Sequence, residues 1–378
     1  MERMALSSFT AATPRAAGIR LTGGDGADRR HLLAYLQTLG LADCVDATVE
    51  DGTWRFALRS ALLQQWAPHF DTTRLSRMLH LDSDQRRDLE REIALAMLAS
   101  PLAFDYPSHQ EFAAAVRIRA NIADAARRTQ MDFHTEAVNR PEDCWTYSEE
   151  SGFTIRPGHA LIAALQKATQ PDASGRLYSF SCYRATEYVI LLGIAQELER
   201  SNPDLLARLQ TQWETRAIMS GRFHDTFLHE YGSLEQPLPA GYYVPGDRLW
   251  FRNPDERSSD IAGYEGSWVI YLGGGLFSNF WKPAQPYTLA SKCIEVFHWR
   301  DGAVTGDDGE LRMDETLVEA QVEHTRHDAA AAARILCQML RLRDPQGVYA
   351  DGGCIDASRE YPRHVCPGSA EITLPPAE

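Results

Sequence analysis

The stretch LYSFSCYRATEYVILLGIAQEL, residues 177–198, changes its hydrophobic periodicity at Cys182. Before the cysteine, large apolar side chains alternate with small polar ones, which is typical of an extended segment. After it, apolar residues follow helical spacing, and neither Gly nor Pro occurs before Gly193. The pattern predicts that Cys182 lies at or just before the N-terminus of a helix that is apolar on most sides.

A helix N-terminus is a favourable place for a reactive thiol. Its unpaired amide groups and partial positive charge stabilise a thiolate, so we expect a lowered pKa for Cys182. The backbone amide of Cys182 is also a natural oxyanion donor. The alternative is that Cys182 is a small core residue, because free cysteines are among the most buried residues.

Composition limits the partners that this chain can take. It has 378 residues, of which 44% are hydrophobic and 24% charged, and a formal net charge of −14. These values are typical of a globular protein of about two domains. The acidic charge argues against nucleic acid and against an anionic membrane surface as partners. No apolar run resembles a signal peptide or a membrane span, so the sequence predicts a cytoplasmic protein.

The cysteines and histidines give no sign of a metal or a disulfide framework. The seven cysteines are scattered and form no CxxC pair. We therefore expect a reducing compartment, in which a functional thiol survives. Glu323, His324 and His327 do not match the spacing of a zinc protease helix. No metal or organic cofactor is predicted.

The chain is predicted to have four parts. They are a flexible leader (1–25), an N-terminal helical region (26–107), a catalytic domain (108–300) and a C-terminal extension of helix and loop (301–378). Helical patterns in the first hundred residues cover 27–40, 55–67 and 83–100, a further long one covers 108–129, and an Ala-rich one covers 327–342.

A small sheet is predicted to follow the helix of Cys182. Strand patterns occur in 242–255, in 266–280 and in 292–302. A helix that bears a nucleophile can pack against such an antiparallel sheet, so that a strand brings a base to the sulfur. The order of elements thus predicts an α+β fold.

Five segments resemble the small bacterial transglutaminases of the spore-coat type, which are protein-glutamine gamma-glutamyltransferases. They are VRIRANIADAARR (116–128), CWTYSEESGFTIRPG (144–158), GRLYSFSC (175–182), VPGDRLWFRNPD (244–255) and GYEGSWVIYLGGGLF (263–277). The last two are also similar to the core of NlpC-type amidases. The resemblance spans roughly 108–285 and implies a papain-like (NlpC-like) core, to which this chain adds N- and C-terminal helices.

The resemblance also implies a reaction. A cysteine attacks a glutamine-type carboxamide, ammonia leaves, and a primary amine resolves the thioester, with no cofactor. The expected partners are a protein, peptide or small-molecule carboxamide donor and a primary amine acceptor. If water resolves the thioester instead, the same chemistry makes an amidase or deamidase.

The family's nucleophile falls on Cys182, but its other catalytic positions differ here. The family has an acidic residue on the strand after the one that contains the PGD motif (244–255 here), and that position is Ser267 in this chain. The family's acidic residue directly before the cysteine is Ser181 here. The family's histidine after that strand falls on Phe280. The nucleophile is kept and its partners are replaced.

Three explanations for the missing base are open. Glu265 is the displaced acid if the alignment slips by two residues, because the loop before it is one residue longer than the family pattern. His298 supplies the base if the third predicted strand, 292–302, lies beside the cysteine. Otherwise the protein is a non-catalytic scaffold that has lost its base. If these residues are not catalytic, Glu265 is expected to be a solvated carboxylate and His298 a hydrogen-bonded core histidine.

The remaining candidates are expected to bind substrate. Tyr183 and Arg184 follow the cysteine directly, and Tyr264 and Trp268 flank the strand predicted to face it. Aromatic side chains there suit an acyl-donor groove, although they also suit a core. Asn279 joins the candidates because it lies beside the position of the family's histidine.

Overall fold

The structure is a computed structural model that describes residues 15–23, 26–132, 138–344 and 352–375. Most of the predicted leader, residues 1–14 and 24–25, lies outside the described residues. Within the leader, however, Ile19–Leu21 forms a strand, so the leader prediction is wrong for that segment.

The described strands are short and fall into four sheets. They are β1 (Ile19–Leu21), β2 (Val45–Glu50), β3 (Thr53–Leu58), β4 (Phe104–Tyr106), β5 (Trp145–Ser148), β6 (Gly152–Ile155), β7 (Leu228–Tyr231), β8 (Arg248–Arg252), β9 (Gly266–Gly273), β10 (Leu276–Phe277), β11 (Tyr287–Thr288), β12 (Ala303–Thr305), β13 (Leu311–Met313) and β14 (Arg359–Pro362).

The described helices surround these sheets. They are α1 (Gly26–Thr38), α2 (Ser60–Trp66), α3 (Leu75–Leu79), α4 (Arg86–Leu98), α5 (His109–Arg128), α6 (Leu161–Thr169), α7 (Pro171–Ser174), α8 (Cys182–Ser201), α9 (Pro203–Thr215), α10 (Ser220–Phe227), α11 (Glu256–Ser259), α12 (Leu289–Gly302), α13 (Glu315–His327) and α14 (Ala329–Met339).

The N-terminal region is not purely helical, contrary to the prediction. It contains a sheet in the order β2-β3-β1-β4, and the segment 55–67 begins as β3 before it turns into α2. Strands β2 and β3 form a hairpin around Asp51 and Gly52, which both have positive φ. Asp-Gly is a strong signal for such a turn, so the hairpin could have been predicted from the sequence.

A six-stranded antiparallel sheet forms the centre of the molecule, in the order β11-β10-β9-β8-β14-β7. The side chains of β9 alternate between its faces, as strand geometry requires. Ile270 and Leu272 join the hydrophobic cluster that contains α8, while Val269 and Tyr271 join the cluster that contains α12. The sheet is therefore packed between helices, and the predicted α+β architecture, with the cysteine helix on an antiparallel sheet, is confirmed.

Helix α8 is the buried central helix that its sequence predicts. It packs against α5, α6, α9 and β9. Its contact with α5 is so close that a Cβ on Gly193 would lie 2.5 Å from Ile122 Cγ1. The glycine that interrupts the apolar run is therefore the point at which two helices touch.

The third predicted strand, 292–302, is wrong, because these residues form the helix α12. The side chains of Thr288 and Ser291 each accept a hydrogen bond from the other residue's backbone amide, and this capping box starts the helix. The alternation of Ile294, Val296 and His298 occupies too few residues to exclude a buried helix.

The C-terminal extension is integrated into the fold. Strand β14 lies between β8 and β7 in the central sheet, and α13 and α14 pack against α12. The central sheet therefore includes residues on both sides of the predicted domain boundary at residue 300. None of the described helices combines the length and the hydropathy that crossing a bilayer would need.

Candidate active site

Cys182 is the first residue of α8, as predicted. Ser181 caps the helix, because its side chain accepts a hydrogen bond from the Arg184 amide at 3.3 Å. The serine in the family's acidic position thus has a structural role here, since serine is a preferred N-cap residue.

The expectation of a lowered pKa for Cys182 is wrong. Burial of the sulfur raises its pKa, and this effect outweighs hydrogen bonds from the backbone of Trp268 and Tyr183 and the charge of Lys292, all of which lower the pKa. The charge of Glu265 raises it further. A helix N-terminus favours the thiolate, but desolvation of the charged form dominates at this position.

Cys182 opens into a cavity of about 810 Å³. The polar residues that line the cavity include Cys182, Arg184, Glu187 and Glu265. The rest of its wall is mainly apolar and aromatic, with Phe153, Leu191, Trp213, Ile218, Met219 and Phe223. A cavity of this size, mainly apolar with a few polar groups, suits a small molecule or a side chain as ligand.

Glu265 shares this cavity with the cysteine. Its exposed carboxylate accepts a hydrogen bond from the Gly263 amide at 3.1 Å. Its charge raises the pKa of Cys182. Ser267, in contrast, is buried on β9 and is not among the residues that line the cavity.

Aromatic side chains form the wall beside the sulfur. Trp268 stacks on Trp250 with the ring centroids 5.5 Å apart, and Tyr183 contacts Trp268 edge-on at 5.2 Å. The buried guanidinium of Arg248 lies 4.8 Å from the Trp268 ring centre and 5.1 Å from that of Tyr183. Gly266 makes room for this wall, since a Cβ there would lie 1.9 Å from Trp250 Nε1.

His298 is not brought to the sulfur. It lies on α12, where its Nδ1 is 2.6 Å from Asp301 Oδ2 and its Nε2 is 2.7 Å from Thr325 Oγ1. Both ring nitrogens are engaged, the residue is buried, and it does not line the cavity. The structure therefore contradicts a general-base role and supports the alternative, a hydrogen-bonded core histidine.

Two of the predicted substrate-binding residues also lie outside the cavity lining. The Tyr264 hydroxyl donates to Glu315 at 2.7 Å, and its ring packs against Trp299. Asn279 organises a loop, because its side chain donates to the Gln285 carbonyl and accepts from the Lys282 amide. Tyr183, Arg184 and Trp268 do line the cavity, and their role in binding stays a prediction.

Glu187 is a cavity residue that was not predicted from the sequence. It is 1% exposed, forms an ion pair with Arg184 at 2.8 Å and accepts a hydrogen bond from Ser220 at 3.1 Å. Burial raises its pKa, although the charges of Arg184 and Arg248 oppose the rise. A carboxylate inside an otherwise apolar helix was the signal that could have identified it.

Arg140 is the second residue that was missed. Its guanidinium is 3.4 Å from the centre of the Phe180 ring and 4.7 Å from that of Tyr188. Burial lowers its pKa. Because its position depends on contacts with distant segments, no local pattern identifies it.

Among the described residues, one group of three side chains could together bind a metal ion. It consists of His229, His364 and Glu371, and it lies outside this cavity.

Three comparisons relate this chain to known proteins. A protein-glutamine gamma-glutamyltransferase of Halalkalibacterium halodurans is 24% identical over 201 residues, which cover 50% of this chain and 62% of that protein. One of Bacillus pumilus is 26% identical over 205 residues, which cover 51% of this chain and 73% of the other. A solved transglutaminase from Geobacillus stearothermophilus has a TM-score of 0.38 and 20% identity over 56% of this chain and 98% of its own.

The family model for protein-glutamine gamma-glutamyltransferases matches residues 70–363. This range extends beyond the resembling segments on both sides and includes the Cys182 helix, the central sheet and β14. Since the match covers well over half of the sequence, the chain belongs to the protein-glutamine gamma-glutamyltransferase family.

Proposed function

We propose that this chain transfers the acyl group of a glutamine-type carboxamide to a primary amine through a thioester on Cys182. The observation that carries the proposal is the position of Cys182 at the start of α8, in one cavity with Glu265. Membership of the family supports the same activity. The donor would be a protein, a peptide or a small molecule that presents a carboxamide.

Glu265 is the proposed general base. It accepts the thiol proton as the sulfur attacks the carboxamide carbon, and the same proton goes to the leaving nitrogen when the C–N bond breaks and ammonia departs. The acceptor amine then attacks the thioester carbon and gives a proton to Glu265, and the leaving thiolate takes up this proton, which restores the thiol and the carboxylate. The amides of Trp268 and Tyr183, which lower the pKa of Cys182, stabilise the sulfur anion in both steps.

The reaction needs a reduced cysteine. All seven cysteines lie among the described residues, and each is a free thiol. Because the proposed reaction uses Cys182 as a thiol, we further propose that the protein works in a reducing compartment such as the cytoplasm.

The test is incorporation of a fluorescent primary amine into a glutamine-containing protein. We expect the wild type and Cys337→Ser to give equal signal, since Cys337 is exposed and lies outside the cavity. Cys182→Ala should lose the signal entirely, and Glu265→Gln should lower it by about 10²-fold to 10⁴-fold, the usual contribution of a general base. Full activity of Cys182→Ala would refute the proposal.

A second candidate function is favoured by the raised pKa of Cys182 and by Ser267 in the place of the family's acid. It is a non-catalytic protein that binds glutamine-containing ligands in the same cavity. Under this alternative the wild type and Cys182→Ala bind a glutamine-containing peptide equally well, and neither releases ammonia in the presence or absence of an amine. Ammonia release without amine transfer would instead identify an amidase or deamidase.

A further inference from the structure

Three metal-ligating side chains meet at the edge of the central sheet. His229 lies on β7, His364 follows β14 by two residues, and Glu371 belongs to the C-terminal segment. One ligand atom from each residue lies within 4.8 Å of those from the other two. His229 is far in the sequence from His364 and Glu371, and the pairing of β14 with β7 brings it beside them.

Both imidazoles converge on one carboxylate oxygen. His229 Nε2 is 2.7 Å from Glu371 Oε2, and His364 Nδ1 is 3.4 Å from the same oxygen. The His364 backbone amide also donates to it at 3.1 Å. The two rings lie with their centroids 5.8 Å apart and their planes inclined by 66°, so their nitrogens approach the oxygen from different directions.

The group is held in place and can still be reached by an ion. The His229 ring packs against Tyr361 at 5.3 Å, and the His364 ring packs against Tyr106 at 5.4 Å. The three side chains keep 26%, 12% and 36% of their surface exposed, in the order His229, His364 and Glu371. Rigid backing with partial exposure is what an open metal site needs.

The C-terminal segment is anchored independently of this group. Glu111 on α5 accepts hydrogen bonds from the Val365 amide at 2.7 Å and from the Ser369 hydroxyl at 2.7 Å. Asn202 donates to the Val365 carbonyl at 2.8 Å. The segment therefore presents His364 and Glu371 to β7 from a fixed backbone, so that only small side-chain rotations are needed to bring the ligand atoms together.

We propose that His229, His364 and Glu371 bind one divalent transition-metal ion, best matched by Zn²⁺, and that the ion clamps the C-terminal segment to β7. Two imidazole nitrogens and one carboxylate oxygen form a donor set that Zn²⁺ takes at about 2.0–2.2 Å, with a fourth position for water. Tetrahedral bonds of that length set the donor atoms about 3.3–3.6 Å apart. The ion would therefore replace the 2.7 Å hydrogen bond between His229 and Glu371, moving those two atoms slightly apart, while the other separations are at most 4.8 Å. Ca²⁺ and Mg²⁺ are poorer matches, because they prefer oxygen ligands throughout.

The proposal does not depend on the acyl transfer reaction. The ion would stabilise the pairing of β14 with β7, and β14 carries Glu360, which forms ion pairs with His224 and Arg248. Arg248 in turn lies over the rings of Tyr183 and Trp268, which line the cavity of Cys182. The proposed ion is therefore connected to the cavity through β14, Glu360 and Arg248.

The test is titration of the full-length, chelator-treated protein with Zn²⁺ by isothermal calorimetry. We expect one ion per chain with a micromolar or tighter Kd, and an increase of Tm that grows with Zn²⁺ concentration. Glu371→Gln keeps the size of the side chain but removes its charge and should weaken binding at least tenfold. His229→Ala should abolish binding at that stoichiometry.

Two control variants address zinc bound elsewhere. His327→Ala changes an exposed histidine that lies 3.6 Å from Glu323 on α13, and Cys337→Ser removes the exposed thiol. Both should bind Zn²⁺ as the wild type does. The proposal is refuted if the wild type binds no Zn²⁺ at micromolar concentration, or if folded Glu371→Gln, checked by circular dichroism, binds it as tightly as the wild type.

Discussion

At Cys182, desolvation and hydrogen bonding act in opposite directions on one sulfur atom. Burial raises the pKa of the thiol, while the amides of Trp268 and Tyr183 and the charge of Lys292 lower it. Lys292 is itself buried on α12, so one of the stabilising charges comes from an element on the other side of the sheet. The resting protein therefore holds Cys182 mainly as a thiol at neutral pH, and the thiolate forms when a base removes its proton.

This balance predicts how alkylation of Cys182 depends on pH. The thiolate is the reactive form, and the pKa lies above the usual value of about 8.5 for a free thiol. The rate of reaction with iodoacetamide should therefore rise about tenfold per pH unit from pH 6 to beyond 8. Peptide mass spectrometry in a Cys337→Ser background measures it, and a rate that levels off below pH 7 contradicts the raised pKa.

Glu265→Gln is the matched control for that profile. The charge of Glu265 raises the pKa of Cys182, so its removal should shift the alkylation profile to lower pH. The same variant should lose amine transfer if Glu265 is the base. Faster alkylation together with slower catalysis separates the electrostatic role of this carboxylate from its catalytic role, whereas a residue that only supports the structure would lower both.

At the scale of elements, the position of the cysteine depends on how closely α8 approaches α5. Gly193 permits this approach, because any Cβ there would also lie 2.9 Å from the Ile122 backbone nitrogen. The sequence predicted both helices from their periodicity, yet it did not predict that they touch at this glycine. A helical glycine is usually a weak point, and only the packing reveals that this one is required.

Substitution of Gly193 should show this requirement. Gly193→Ala should lower the free energy of unfolding by about 1–3 kcal/mol, the usual effect of an overpacked contact. Gly221→Ala is the control, since Gly221 lies in α10, where a Cβ would meet no neighbour among the described residues within 4 Å. It should be neutral or stabilise by up to about 1 kcal/mol, because alanine favours helix. Urea denaturation of both variants makes the comparison, and equal effects would contradict the role given to Gly193.

At the scale of the whole molecule, a buried ion pair joins the helical layer to the central sheet. Arg119 on α5 donates to Asp247, just before β8, at 2.6 Å, and the two side chains are 1% and 0% exposed. The Tyr231 hydroxyl on β7 donates to the same carboxylate at 2.5 Å. The aspartate of the PGD segment therefore holds together α5 and two strands that are not neighbours in the sheet.

Loss of this carboxylate should destabilise the entire fold. Asp247→Ala leaves the Arg119 guanidinium buried without its carboxylate partner, which costs about 3–5 kcal/mol for a pair of this kind. Lys282→Ala breaks an exposed pair with Glu319 and should cost less than about 1 kcal/mol. Chemical denaturation followed by fluorescence measures both. A cost for Asp247→Ala as small as that for Lys282→Ala would show that the buried pair does not stabilise the protein.

The sequence by itself determined which segments are amphipathic and that Cys182 lies at the start of α8, because side-chain periodicity is a local property. The tertiary structure decided the surroundings of that cysteine. It placed α12 behind the sheet and thereby removed His298 from the site, and it inserted β14 between β8 and β7. It also raised the pKa of Cys182 through burial. Desolvation, strand pairing and helix contacts depend on residues that are distant in the chain, so local sequence patterns cannot predict these three effects.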